Sequence, residues 1–343
     1  MSACARDGKD DKPHTPNPPV TAPAQKENRV FEVKSSGDLV NAGAKYTELL
    51  DAGFSGMFEI HVADGSYADT RWMLGRADKS APQAIDIVLK GTGTAIPGPS
   101  KIAGQNIRIE GLVITSQQFA PIEIEATKSV TISSCNFIEG RPTNAEYSRP
   151  YLEIRARGTG SEKTPITATV ENTWFVRNFQ AANNSSLLAF TVFEPEPGYF
   201  NDIAIRDSAF LGNAFSADVV IGYAMNTRIQ RTIFYKTWPS GVFLRCKTSD
   251  SIKLEDSVMV AEDLGQLAEV DDCPTIKVTN TKIYARSFTA GAKPPKALDI
   301  DRDALSDRTR IDAAVVDSAI TMPRAAPNRD LRRALENALH LAP

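Results

Sequence analysis

Ile203-Ala204-Ile205-Arg206-Asp207-Ser208-Ala209-Phe210 places apolar residues at alternate positions, then a small hydroxyl residue, then a large apolar one. A period of two belongs to a strand with one buried face; a helix would repeat its apolar residues every three or four positions. The same order of residue types occurs eight times, in copies opening at Ile107, Val130, Ala168, Ile203, Thr227, Ile252, Ile276 and Ala313. The openings are 23, 38, 35, 24, 25, 24 and 37 residues apart. A unit of about 24 residues, enlarged three times by 11 to 14 residues of loop, accounts for the series.

Most units also hold an earlier alternating strand: Ile122-Glu123-Ile124, Leu152-Glu153-Ile154, Leu188-Ala189-Phe190 and Val242-Phe243-Leu244. Short strands of this kind cannot bury an inner face alone, so successive units must stack. The pattern predicts an all-β, single-stranded right-handed parallel β-helix, a solenoid of about 24 residues per turn. Its small-residue column, Cys135, Thr173, Ser208, Thr232, Ser257 and Thr281, should form an inward ladder, which makes Cys135 a core residue. Exposed ends call for covers. Asp38 to Ala52 and Asn328 to Leu341 both show helical apolar spacing and are expected to be N-terminal and C-terminal capping helices.

The single domain is expected to span 29–343. Residues 1–28 are polar and Pro-rich, as in a tether. Ser2-Ala3-Cys4 matches the end of a bacterial lipoprotein signal, so a secreted or envelope protein attached through a lipidated Cys4 is one expectation and an ordinary frayed terminus the other. Four scattered cysteines do not form a disulfide framework or a paired zinc motif, and Cys246 and Cys273 are not expected to pair. The 39 Lys and Arg against 42 Asp and Glu give a net charge of -3. This excludes the strongly basic balance of a nucleic-acid-binding domain. No apolar run reaches the length of a membrane-spanning helix.

The large insertions, at 139–149, 156–165, 178–186, 192–201 and 287–296, would wall a groove suited to an extended polymer. Asp207-Ser208-Ala209-Phe210, Ala217-Asp218-Val219-Val220-Ile221-Gly222-Tyr223 and Val242-Phe243-Leu244-Arg245-Cys246-Lys247, with His61-Val62-Ala63-Asp64-Gly65-Ser66-Tyr67 near the start, resemble the chondroitinase B and alginate lyase family of polysaccharide lyases. The resemblance implies β-elimination on an acidic polysaccharide, with calcium held by acidic residues, a Lys base and an Arg one turn further on. Carried across, Asp218 falls at a calcium-ligand position and Arg245 near the Arg position; Ala217 and Gly222 or Tyr223 depart from the expected acid and base.

Elimination requires neutralisation of the uronate carboxylate and a base for its α-proton. Arg245 and Lys247, two apart on a strand, would neutralise, and Tyr223 would act as base or proton donor. Glu123, Glu125, Glu153 and Arg155 form an outward acid-base ladder on preceding units, with Glu153 and Arg155 as substrate contacts and Glu125 joining Asp218 as a calcium ligand. Cross-strand charge pairing explains the same ladder without function. A hydrolase would draw on Asp271-Asp272 or on Asp299, Asp301 and Asp303. A non-catalytic protein that binds polysaccharide or another envelope component is the remaining alternative.

Overall fold

The computed structural model describes residues 27–76, 84–115, 122–140, 150–158, 165–178, 186–192, 198–236, 241–261, 266–270, 273–284, 287–290 and 297–300. The chain enters on β1 (Glu27–Val33), followed by α1 (Ser36–Asp51), β2 (Gly56–Val62), β3 (Met73–Leu74), β4 (Asp86–Gly91), β5 (Ala95–Pro97), β6 (Lys101–Glu110) and β7 (Val113–Thr115). The middle comprises β8 (Ile122–Ser133), β9 (Asn136–Ile138), β10 (Leu152–Ala156), β11 (Pro165–Glu171), β12 (Trp174–Val176), β13 (Ser186–Val192), β14 (Tyr199–Arg206) and β15 (Ala209–Leu211). The remainder is β16 (Ala217–Gln230), β17 (Ile233–Lys236), β18 (Val242–Glu255), β19 (Val258–Ala261), β20 (Gln266–Val270), β21 (Thr275–Thr279), β22 (Lys282–Tyr284), β23 (Ser287–Ala290) and β24 (Ala297–Ile300).

Every pairing is parallel. Among the described residues one sheet has 16 strands and a second, not hydrogen-bonded to it, has 8. Within the first, β8 pairs β10, β10 pairs β13, β13 pairs β16, β16 pairs β14, β14 pairs β11 and β11 returns to β8. These six strands close a ring. The expected right-handed β-helix solenoid with a capping helix at each end is therefore corrected: the chain builds a closed six-stranded parallel barrel beside a separate parallel sheet, and α1 is the one helix among the described residues.

The physical reason lies at one corner. Expectation divided each unit into separate short strands, but β8 with 12 residues and β16 with 14 run through the corner unbroken. In the two units between them the same corner carries inserted chain, so β10 stops at Ala156 before β11 starts at Pro165, and β13 stops at Val192 before β14 starts at Tyr199. Two continuous strands flanking two interrupted ones join both series into a ring.

The small-residue column is buried throughout, at 0 to 3% exposure. Its hydroxyls accept from the backbone of the preceding rung: Thr173 N–H donates to Ser208 Oγ, Thr232 N–H to Ser257 Oγ and Ser257 N–H to Thr281 Oγ1. Each member follows a residue with left-handed backbone: Ser134, Asn172, Asp207, Arg231, Asp256 and Asn280, at φ between 45 and 54°. Gly, Asn and Asp tolerate that region best, which explains the composition of this preceding column. Two residues after Cys135, Thr173, Ser208 and Thr232, the rings of Phe137, Phe175, Phe210 and Phe234 stack with centroids 4.8 Å apart. Each such pair contributes about 0.5–1.5 kcal/mol beyond the area it buries. The main apolar core joins side chains of both sheets, and Ala189, Ala217, Val220 and Val242 form a separate small cluster.

Helix α1 follows an N-cap at Ser35, whose hydroxyl accepts from Asp38 N–H, and buries Leu39, Ala42, Tyr46 and Leu49. The motif after β2 is structural. The Tyr67 hydroxyl lies 2.9 Å from both Val33 O and Ala63 O, and Asp64 accepts from Thr92 and Thr94. Cys135 is fully buried, and burial pushes its thiol up to about 12. Cys246 and Cys273, not expected to pair, are joined in a disulfide across a Cα separation of 6.3 Å. The expected helix at Asn328 to Leu341, the eighth unit from Ala313, Cys4 and Asp271-Asp272 lie outside the described residues.

Candidate binding surface and its charged groups

The ladder of β6, β8 and β10 expected on the outside is an ion-pair network in which Glu125, Glu153 and Arg157 are buried. Lys101 Nζ lies 3.0 Å from Glu125 Oε1 and 3.6 Å from Glu123 Oε1. Arg155 reaches Glu123 at 3.0 Å and Glu153 at 2.7 Å, Arg157 approaches Glu125 at 3.5 Å, and Thr191 donates to Glu153 at 2.8 Å. Parallel register puts these groups together, since Lys101 pairs with Glu123, Glu123 with Glu153, and Arg155 with both Glu125 and Thr191. Three cations and three carboxylates balance. Glu123 is held above the usual carboxylate range by burial and by the neighbouring Glu125, against the pull of Arg155.

Asp218 stands elsewhere, on β16, and is 1% exposed. Its Oδ1 is 3.2 Å from Lys236 Nζ on β17, also 1% exposed, and Oδ2 has no hydrogen-bond donor among the described residues. Burial raises the Asp218 carboxyl to about 6 despite the opposing lysine, and burial lowers Lys236. Each of the two expected calcium ligands thus faces a cation: Glu125 has Lys101 and Arg157, Asp218 has Lys236. Calcium requires several oxygens converging on one point. The donor set does not fit that need, and among the described residues no group of three His, Cys, Asp or Glu side chains is arranged to hold a metal.

The three residues expected to perform elimination gather at the corner where β16 and β18 bend. Ile221 pairs with Cys246, Gly222 with Thr248 and Ala224 with Ser249, so Tyr223 and Lys247 are both left out of the ladder as bulges on adjacent strands. Tyr223 is 52% exposed at φ 57°, a left-handed backbone unusual for a bulky residue and one that costs about 1–3 kcal/mol. Lys247 is exposed, Arg245 is partly so, and Met225 beyond the corner is a second exposed apolar side chain. The Cys246–Cys273 disulfide fixes the strand between Arg245 and Lys247.

Sequence reasoning placed Tyr223, Arg245 and Lys247 together but missed Lys236, Lys101 and Arg157. Register alone reveals these partners, because they stand 18 to 32 residues from the acids they face. Comparison with protein-family models, with curated proteins and with solved structures finds no match to this chain.

Proposed function

We propose that the protein binds an acidic polysaccharide at the corner formed by Tyr223, Arg245 and Lys247. The observation that carries this is Tyr223, an aromatic ring held in solvent by left-handed backbone beside Lys247. Strained backbone persists where the surrounding structure enforces it, and such positions cluster at binding and catalytic sites. An exposed aromatic supplies a flat apolar face for a sugar ring, and adjacent cations neutralise carboxylate or sulfate groups. The disulfide supports placement outside the reducing cytosol, where such polymers occur, because disulfides persist in oxidising compartments.

Binding is favoured over elimination, since Asp218 and Glu125 are occupied by internal cations. Isothermal titration with alginate, polygalacturonate, chondroitin sulfate and dermatan sulfate tests the reading, with ultraviolet absorbance recorded in parallel for unsaturated product. We expect saturable binding to at least one polymer, weakened about tenfold by Tyr223→Ala, a loss on the order of one aromatic stacking contact, without absorbance change. A rise in absorbance that Arg245→Gln abolishes would replace binding by lyase chemistry. Absence of binding to all four polymers would overturn both.

A further inference from the structure

On the outer face of β16, β18 and β21, Arg228, Lys253 and Lys277 stand directly opposite one another in register. Neighbouring strands lie about 4.8 Å apart, and like charges placed directly across strands are destabilising. The rest of this face avoids that arrangement: Arg206 donates to Glu171 at 2.7 Å, Arg108 meets Glu110 at 2.9 Å and Arg231 is bidentate to Asp207. Arg228 has Glu255 at 2.6 Å, but Lys253 and Lys277 are exposed and have no ion-pair partner among the described residues. Of the acids along these strands, Glu255 is engaged by Arg228 and Asp256 by Asn280, while Asp250, three residues before Lys253, is exposed. Two positions earlier on the same face, Asn226, Ser251 and Thr275 form a row of small polar residues in matching register, Asn226 with Ser251 on adjacent strands. Asp299 on β24 pairs in register with Lys277 and ends the cationic run.

We propose that Arg228, Lys253 and Lys277 are a second anion-binding track, which takes successive carboxylates or sulfates of a linear acidic polysaccharide lying across the strands, with Asn226, Ser251 and Thr275 beneath its hydroxyls. The proposal rests on the acidic-polysaccharide reading above and adds a contact to it. The track starts five residues beyond Tyr223 on β16, at most about 17 Å at full strand rise, so one chain of several sugars reaches both. The ladder is short and flat, and the net charge of -3 opposes the broad basic field that a nucleic acid requires.

The test compares wild type, Lys253→Gln/Lys277→Gln and Tyr223→Ala/Lys247→Gln, each titrated with the four polymers, with neutral dextran and with duplex DNA at about 50 and 200 mM salt. Both lysines are exposed, so the first variant should fold as wild type does, which circular dichroism checks. We expect the lysine variant to bind its polymer about tenfold more weakly and to lose much of the salt dependence, as removal of anion contacts requires. Unchanged affinity and salt slope in that variant would overturn the track, while a loss in the tyrosine variant alone would leave the corner reading standing. A loss confined to the lysine variant would keep the track and overturn the corner. DNA bound as tightly as the best polysaccharide, or no polymer bound by wild type, would overturn the assignment.

Discussion

Two groups of buried charge differ in how they are compensated. In the network of β6, β8 and β10, six side chains share partners, so Arg155 alone bridges Glu123 and Glu153. The Asp218–Lys236 pair is isolated, with one ion contact and an unpartnered Oδ2. Burial disfavours both charged forms of the pair, raising the acid and lowering the base. Taking ions out of water is repaid only where geometry and further hydrogen bonds are good. The network has those extra partners and the pair does not. The pair should therefore be replaceable by apolar side chains, and the network should tolerate loss of a single member.

The largest expected effect comes from breaking the pair on one side. Lys236→Met leaves the Asp218 carboxylate buried without a counter-charge, which costs about 3–5 kcal/mol, read at pH 8 by urea unfolding. At pH 5 the loss should shrink, because Asp218 then takes up a proton. Adding Asp218→Leu to Lys236→Met should restore stability to wild type or raise it by about 1–4 kcal/mol. A double variant as unstable as the single one would show that the pair is needed as a pair.

Wild type compared with that double variant isolates the pH dependence. The Asp218 carboxyl moves from 3.8 to about 6 on folding, so between these values the folded protein holds more of its proton than the unfolded chain. Stability from this group is then fully present below about 4 and is lost as pH rises through 6. Unfolding at pH 4, 5, 6 and 7 should show the difference between the two proteins widening toward pH 7, to the double variant's advantage. The smallest effect is expected in the network. Glu153→Gln should cost about 1 kcal/mol, because Arg155 keeps Glu123 and the amide oxygen still accepts from Thr191.

The strand pattern, the inward small-residue column and α1 were legible because each is a matter of local periodicity. The sequence placed the helix at Asp38 to Ala52 and the structure has it at Ser36–Asp51. What escaped was set by distant register. Whether a strand continues round a corner depends on which units carry insertions there, and this decides that β8 and β16 close a ring instead of repeating three separate strands. Cys246 and Cys273 sit at different offsets within their units, yet their Cα atoms come within 6.3 Å, inside the range that a disulfide bridges. One signal was present and unread: Asn172, Asp207, Asp256 and Asn280, each before a buried hydroxyl residue, announce the left-handed corner. At Tyr223 no such residue type gives warning. There the demand comes from the bulge shared with Lys247, which leaves the Tyr223 ring exposed.

The most direct test of the proposed binding is titration of the intact protein with polygalacturonate and with its fully methyl-esterified form, which has the same chain without the charge. The proposed surface is expected to bind the acid and to lose about tenfold or more in affinity on esterification, as loss of charge-assisted contacts requires. Equal affinity for both polymers, or for neither while sulfated polymers also fail to bind, would contradict an anion-reading surface at Arg245, Lys247, Lys253 and Lys277.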